Sequence, residues 1–282
     1  MTLIMELTEL FRSRFGSLRA ECHLAHGEME MKKHNFGEIC TMYPDEVSGI
    51  NKPSAIESFE EASLWPILVE NVIKYGFKKP TPVQMNVIPA VMAARDMMVA
   101  CPQTDPGKTA AFLIPIIHRL IEADAGSGGG GPQCIIVTPT MQSAIQIHSE
   151  ASMFTQGSLV RSVVAYEGFS PARELLRRCN ILVATLDKSL DLVKKESVSL
   201  SNCKYLVLDE ADGMWDLDFM TEIQKLVEEH NMPKKAPKGK RQTLILGASL
   251  PDEVQECAQE FLAEDYLYIS VGVRLKFDSL ID

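Results

Sequence analysis

Two kinds of apolar run alternate along the chain from about residue 95. The short ones are DMMVAC (96–101), CIIVTP (134–139), VRSVVAY (160–166), NILVAT (180–185), YLVLDE (205–210), TLILGAS (243–249) and YLYISV (266–271). They are rich in aliphatic residues, as strands buried on both faces should be. Between most of them lie longer stretches with apolar residues at helical spacing, GKTAAFLIPIIHRLIEAD and MTEIQKLVEEH being clear cases. The alternation predicts βαβ crossovers, hence an α/β fold with a parallel sheet and helices on both faces. Residues 1–50 are more weakly patterned and suggest a helix over 3–19 followed by irregular chain. The stretch AGSGGGGPQ (125–133) has the composition of a flexible surface loop. There is no internal repeat.

Composition narrows this only modestly. A chain of 282 residues, 46% hydrophobic and 23% charged, is ordinary for one large domain or two small ones. No apolar run reaches membrane-spanning length, so no membrane partner is expected. The first residues lack the basic region, continuous apolar core and cleavage site of a secretory signal. Seven cysteines without a CxxC pair read as reduced thiols of an intracellular protein, and no metal-ligand cluster stands out. A net charge of -10 lowers the expectation of tight binding to a polyanion, since phosphate contacts supply most non-specific affinity. One basic run, PKKAPKGKR (233–241), reads as a solvated loop. Trp65 and Trp215 read as core or half-buried packing, His118 as structural, and the methionines, Met97 and Met98 among them, as core filler.

Chemistry concentrates at two strand ends. CPQTDPGKT (101–109) follows a buried strand and opens a long helix. That junction can cradle phosphates: backbone N–H groups at a helix N-terminus face the anion, a lysine reaches the outer phosphates and a threonine hydroxyl ligates magnesium. Gly107, Lys108 and Thr109 fit those roles. LVLDEAD ends a second apolar strand in Asp209 and Glu210, at the carboxyl edge where open α/β sheets bind ligands. In such sites the aspartate holds magnesium and the following glutamate positions or activates water.

GFKKPTPVQMNVIPAVMAARDMMVACPQTDPGKTAAFLIPII followed by VLDEAD closely resembles the first RecA-like lobe of DEAD-box RNA helicases, nearest the Vasa and Belle branch. The likeness runs from about Asn35 to Val273. It implies a RecA-like P-loop fold over 51–273, preceded by an N-terminal extension (1–50) and followed by a tail (274–282) where the interlobe linker would begin. It implies ATP and magnesium as cofactors and RNA as partner. Lys108, Asp209 and Glu210 would be catalytic, with Thr109 and Asp209 holding magnesium. GFKKPTPVQ looks like the adenine-reading Q motif. Gln84 would then bond the base, with Phe77 and Phe59 nearby, and Thr104 would join Gly107, Lys108 and Thr109 in the nucleotide loop. RNA contacts would fall on Pro139, Thr140, Gly168, Thr185 and Lys188.

The departures from the family carry equal weight. Its loop reads Ala-x-Thr-Gly-x-Gly-Lys-Thr. Here Pro102 replaces the alanine, Asp105 the first glycine, and Pro106 fills a usually small position. Proline has no N–H to donate, and Asp105 adds negative charge, so weak ATP binding is expected. Pro-Thr-Arg-Glu-Leu-Ala reads Pro139-Thr140-Met141-Gln142-Ser143-Ala144, without the arginine. Gly-Gly reads Glu167-Gly168, Thr-Pro-Gly-Arg reads Thr185-Leu186-Asp187-Lys188, Ser-Ala-Thr reads Gly247-Ala248-Ser249, and the arginine after DEAD is Gly213. The sequence stops after ISVGV and a short tail, so the second lobe, with its arginine finger, is not expected within it, and little autonomous helicase activity is expected. Two readings follow: an ATP-binding lobe of an RNA helicase with weakened activity, or an inactive lobe serving as a protein-interaction module in a ribonucleoprotein assembly. A different P-loop NTPase is disfavoured by the Q motif. Likeness to the Vasa branch suggests a cytoplasmic setting, germline granules included, with the nucleus left open.

Overall fold

Why the apolar runs are nearly continuous becomes clear from the sheet they build. The computed structural model describes residues 45–123, 130–214, 217–235 and 240–272. Within them eight strands form one sheet: β1 (Glu46–Ser48), β2 (Met97–Ala100), β3 (Cys134–Thr138), β4 (Ser162–Ala165), β5 (Ile181–Thr185), β6 (Tyr205–Leu208), β7 (Gln242–Gly247) and β8 (Leu267–Ser270). The order across the sheet is β1-β8-β2-β7-β6-β3-β5-β4. Neighbours from β8 to β4 are parallel, whereas β1 runs antiparallel to β8. All seven strands expected from the pattern are present. β1 was not anticipated: three residues, one of them exposed, make too short a run to show a period. It lies a few residues upstream of the boundary expected at residue 51.

Alternate residues of each central strand enter opposite cores. Met97, Val99, Ile136, Val183 and Leu246 pack on one side with α1 (Pro66–Tyr75), α2 (Pro82–Met92), α3 (Lys108–Glu122) and α4 (Met141–Phe154). Met98, Ile135, Val137, Leu182 and Ile245 pack on the other with α5 (Arg173–Arg178), α6 (Leu186–Lys194), α7 (Leu217–Glu228) and α8 (Asp252–Ala258). This two-sided burial is why period-two alternation is absent from the sequence. The helix expected over 3–19, the tail 274–282 and Trp215 lie outside the described residues.

The helix ends bracket the site. Pro66 and Pro82 stand in the first turns of α1 and α2, where a missing N–H costs nothing. Gly76 ends α1 at φ +123°, a left-handed value that disfavours a side chain. His118 is structural: its Nδ1 accepts the Trp65 N–H at 3.2 Å, although Trp65 itself is 42% exposed rather than packed away. The basic run is also not simply solvated. Lys235 Nζ donates to the carbonyls of Gln259 (2.8 Å) and Leu262 (2.6 Å), beyond the end of α8. Arg241 is 3% exposed and donates to Pro233 O (3.2 Å) and Phe261 O (3.4 Å). Carbonyls at a helix end need donors, and these cations supply them. Among the described residues, no helix is long and apolar enough to cross a membrane.

Candidate nucleotide and RNA site

β2 and β6 are separated only by β7, so the turns after them face each other at the carboxyl edge. The loop 101–107 leaves β2 and Lys108 begins α3. Lys108 Nζ reaches Asp209 Oδ1 at 2.9 Å, and their side chains are 7% and 3% exposed. Asp209 Oδ1 also accepts the Glu210 N–H at 3.0 Å. Burial opposes charge on both partners. Even so, the charge and hydrogen bond of Asp209, with the charge of Glu210, hold the Lys108 pKa above its ordinary value. Burial raises the Asp209 carboxyl, against the pull of Lys108. The ion pair is the state that the 2.9 Å contact supports.

The Q-motif segment braces this loop from beneath. Gln84 is fully buried; its Oε1 accepts the Thr81 N–H at 3.1 Å and its Nε2 donates to Gly107 O at 3.3 Å. Gly107 has no room for a side chain, since a Cβ would lie 2.1 Å from Thr81 Oγ1. That hydroxyl is itself buried without a hydrogen-bond partner. Phe59 and Phe77 are 2% and 7% exposed and belong to the core on this face. Thr104 is exposed and Thr109 is 8% exposed.

Asp105 has a place that sequence reasoning did not give it. In the sequence it is a charge that phosphates would meet. In the fold its Oδ1 accepts the Gly107 N–H at 2.8 Å. That N–H belongs to the loop that opens α3, where an anion would be received. Burial raises the Asp105 carboxyl, and the Gly107 N–H, the Cys101 thiol and the Lys108 charge all pull it down. The protein's own carboxylate therefore takes a donor that a phosphate would use, while Pro106 offers none. The only sequence signal was the spacing Asp105-x-Gly107, an Asx-type turn in which a carboxylate bonds the backbone two residues on.

Glu210 is held as well. Its backbone is left-handed, φ 59° and ψ 39°. Its Oε1 accepts the Ser143 hydroxyl at 2.7 Å, and Ser143 Oγ lies 2.9 Å from Thr140 Oγ1. Asp212 Oδ1 accepts the Ala248 N–H at 3.1 Å, and a side chain at Gly247 would come within 2.8 Å of that oxygen.

The residues expected to meet RNA gather on the same edge, over β3, β5 and β4. Pro139 and Thr140 follow β3, Gly168 lies in the turn after β4 at φ +82°, and Thr185 ends β5. Lys188 is tied to Asp191 at 3.5 Å, with its side chain 13% exposed. Around them Glu167 and Asp187 are exposed, as are Met141 (40%) and Ile145 (36%), one turn apart on α4. Two acidic and two apolar side chains thus stand exposed around Lys188, at positions where a phosphate backbone is best met by cations.

With that geometry in view, the comparisons with known proteins are specific. Residues 81–257 match the family model described as DEAD/DEAH box helicase. The probable ATP-dependent RNA helicase DDX4 of Macaca fascicularis is 46% identical over 234 residues, covering 80% of this chain and 32% of that protein. The DEAD-box ATP-dependent RNA helicase 52A of Oryza sativa subsp. japonica is 40% identical over 261 residues, 87% of this chain and 41% of that one. The crystal structure of a DEAD box protein from the hyperthermophile Methanococcus jannaschii shares the fold, with a TM-score of 0.67 at 29% identity over 77% of this chain and 56% of its own. The chain thus spans about a third of the length of the DDX4 relative it matches.

Proposed function

The chain belongs to the DEAD/DEAH box helicase family, and from that premise we propose that it is an ATP-binding helicase lobe whose nucleotide loop is partly filled by its own Asp105 and whose RNA-facing edge is weakened. The observation that carries this reading is the buried Lys108–Asp209 pair, 2.9 Å apart at the mouth of the Gly107 turn. A lysine, a threonine hydroxyl and two carboxylates on strand ends separated only by β7 are a donor set that suits magnesium and triphosphate. Bound there, magnesium–ATP supplies the phosphoanhydride bond to be broken and a cation that offsets phosphate charge.

The residues divide the remaining work. Lys108 is the cation available to the outer phosphates, and Thr109 and Asp209 are the oxygen donors that would hold magnesium. Glu210 orients water. Gln84 is the residue assigned to adenine; because it is fully buried against Thr81 and Gly107, the base can meet its amide only once the segment covering it opens. Phe59 and Phe77 support that end from within the core. RNA contact at Pro139, Thr140, Gly168, Thr185 and Lys188 belongs to the same proposal, as does a cytoplasmic location.

A second reading, an inactive lobe that docks a protein in a ribonucleoprotein assembly, is favoured by one observation. Met141 stands exposed where the resembled motif has an arginine, with Ile145 beside it. An ATPase assay with and without single-stranded RNA separates the two. We expect slow magnesium-dependent hydrolysis, reduced at least about 100-fold by Glu210→Gln and unchanged by RNA. No hydrolysis above the Glu210→Gln background would sink the enzymatic reading. A clear RNA-dependent rate would sink the weakened RNA edge.

A further inference from the structure

Ser143 occupies a position where the resembled motif carries leucine, and it does something a leucine cannot. Its hydroxyl is 2.7 Å from Glu210 Oε1. An ionised carboxylate only accepts, so Ser143 is the donor. The second short contact, Ser143 Oγ to Thr140 Oγ1 at 2.9 Å, must then run the other way, with Thr140 donating to Ser143. Thr140 also caps α4 by accepting the Ser143 N–H at 3.1 Å. Proton counting thus gives one directed chain, from the Thr140 hydroxyl through Ser143 to Glu210.

We propose that Ser143 is a positioning residue for Glu210: it fixes the carboxylate against the first turn of α4 and couples it to the Thr140 cap on the RNA-facing edge. Two features make the coupling consequential. Glu210 leaves the sheet in a left-handed backbone conformation, which a non-glycine residue holds only when its surroundings impose it. Ser143 is half-buried, so its bond to Glu210 is partly shielded from competing water. A ligand that shifts Thr140 would therefore shift the carboxylate. This route runs through side chains and does not need the arginine that Met141 replaces.

The role assigned to Glu210 rests on the proposed ATPase reading; the contact itself does not, and the test separates them. In the nucleotide-free full chain labelled with 13C-glutamate, the Glu210 carboxyl resonance is identified by its disappearance in Glu210→Gln. Ser143→Ala is expected to move that resonance, and Ser143→Thr, which keeps the hydroxyl, to leave it near its original position. With magnesium–ATP, Ser143→Ala should lower kcat about tenfold, the size of one hydrogen bond to a charged group. KM should stay within about twofold, and Ser143→Thr should restore the rate. A Glu210 resonance identical in the unaltered chain and in Ser143→Ala overturns the proposal. So does an equal loss of kcat in the alanine and threonine variants. A moved resonance with no hydrolysis by any variant supports the positioning contact and overturns the catalytic role given to Glu210.

Discussion

Replacing Asp105 by glycine together with Pro106 by serine is expected to tighten magnesium–ATP binding by about 30- to 100-fold, measured by titration calorimetry. Two separate losses are reversed. The first is charge: a carboxylate roughly 6 Å from a phosphate, at an effective dielectric of about 20, repels it by about 3 kcal/mol, or about two powers of ten in affinity. The second is donors: Asp105 engages the Gly107 N–H at 2.8 Å, and position 106 has none to give. The lower bound allows for screening of that charge by Lys108 and by magnesium. Burial raises the Asp105 carboxyl, which sets the sign of the pH dependence. As pH falls through the raised folded pKa of Asp105, the repulsion fades and the unaltered chain gains affinity relative to the double variant. Asp105→Asn removes the charge but keeps an oxygen that can accept the Gly107 N–H, so it should recover only part of the gain. Tight binding by the unaltered chain, unchanged in the double variant, would show that the loop is not self-occupied. The cost of the reversion is loss of a turn-capping contact, about 1 kcal/mol of stability.

These effects show where sequence reasoning ends. The sheet was legible because burial on both faces leaves an unmistakable mark, a run of aliphatic residues bounded by turns. β1 was not, because a three-residue edge strand leaves none. Lys108, Asp209 and Glu210 could be singled out as candidates because the chemistry expected of them needs fixed residue types at fixed offsets, and the fold brings Lys108 and Asp209 to 2.9 Å. Asp105 could be seen as a wrong charge but not as an internal ligand, since whether a carboxylate points outward or bonds Gly107 depends on loop torsions. Met141 and Ser143 look alike in the sequence, as two eroded positions of one motif. In the fold they differ: Met141 is exposed, whereas Ser143 sits 2.7 Å from Glu210. That contact joins residues 67 apart in sequence, and no local pattern encodes it.

Glu150 is the extreme case. In QIHSEASMF it reads as an ordinary polar residue of an amphipathic helix. In the fold it is 6% exposed. Its Oε1 accepts from Gln146 at 3.3 Å, and the Tyr75 hydroxyl lies against the same carboxylate, although no hydrogen bond of good geometry reaches Oε2. Burial, then the Glu150 charge and the hydrogen bond to Glu150, push the Tyr75 phenol well above its ordinary pKa. Among the described residues, no cation pairs with Glu150. Burial first, with the Asp209 charge adding to it, pushes its carboxyl from 4.5 up to about 7. A carboxyl with a raised folded pKa binds its proton more tightly in the folded chain. Its contribution to stability is therefore whole below the ordinary value of 4.5 and drains away as pH rises through about 7. The shift corresponds to about 3 kcal/mol. Glu150→Gln keeps the shape and cannot ionise. We expect this variant to match the unaltered chain in stability near pH 4.5 and to exceed it by about 2–3 kcal/mol at pH 8. In thermal unfolding that is a rise of roughly 5–10 °C at pH 8 and almost none at the acid end. An equal gain at both pH values would mean that packing, not ionisation, limits this site. A loss at pH 8 would mean that the Glu150 charge is paired by a group the fold does not show. If the gain is seen, the carboxylate has been kept despite its cost, on the same helix that carries Ser143 and within electrostatic reach of Asp209. Relieving it should then alter the charge balance at Asp209 as well as the stability of the fold.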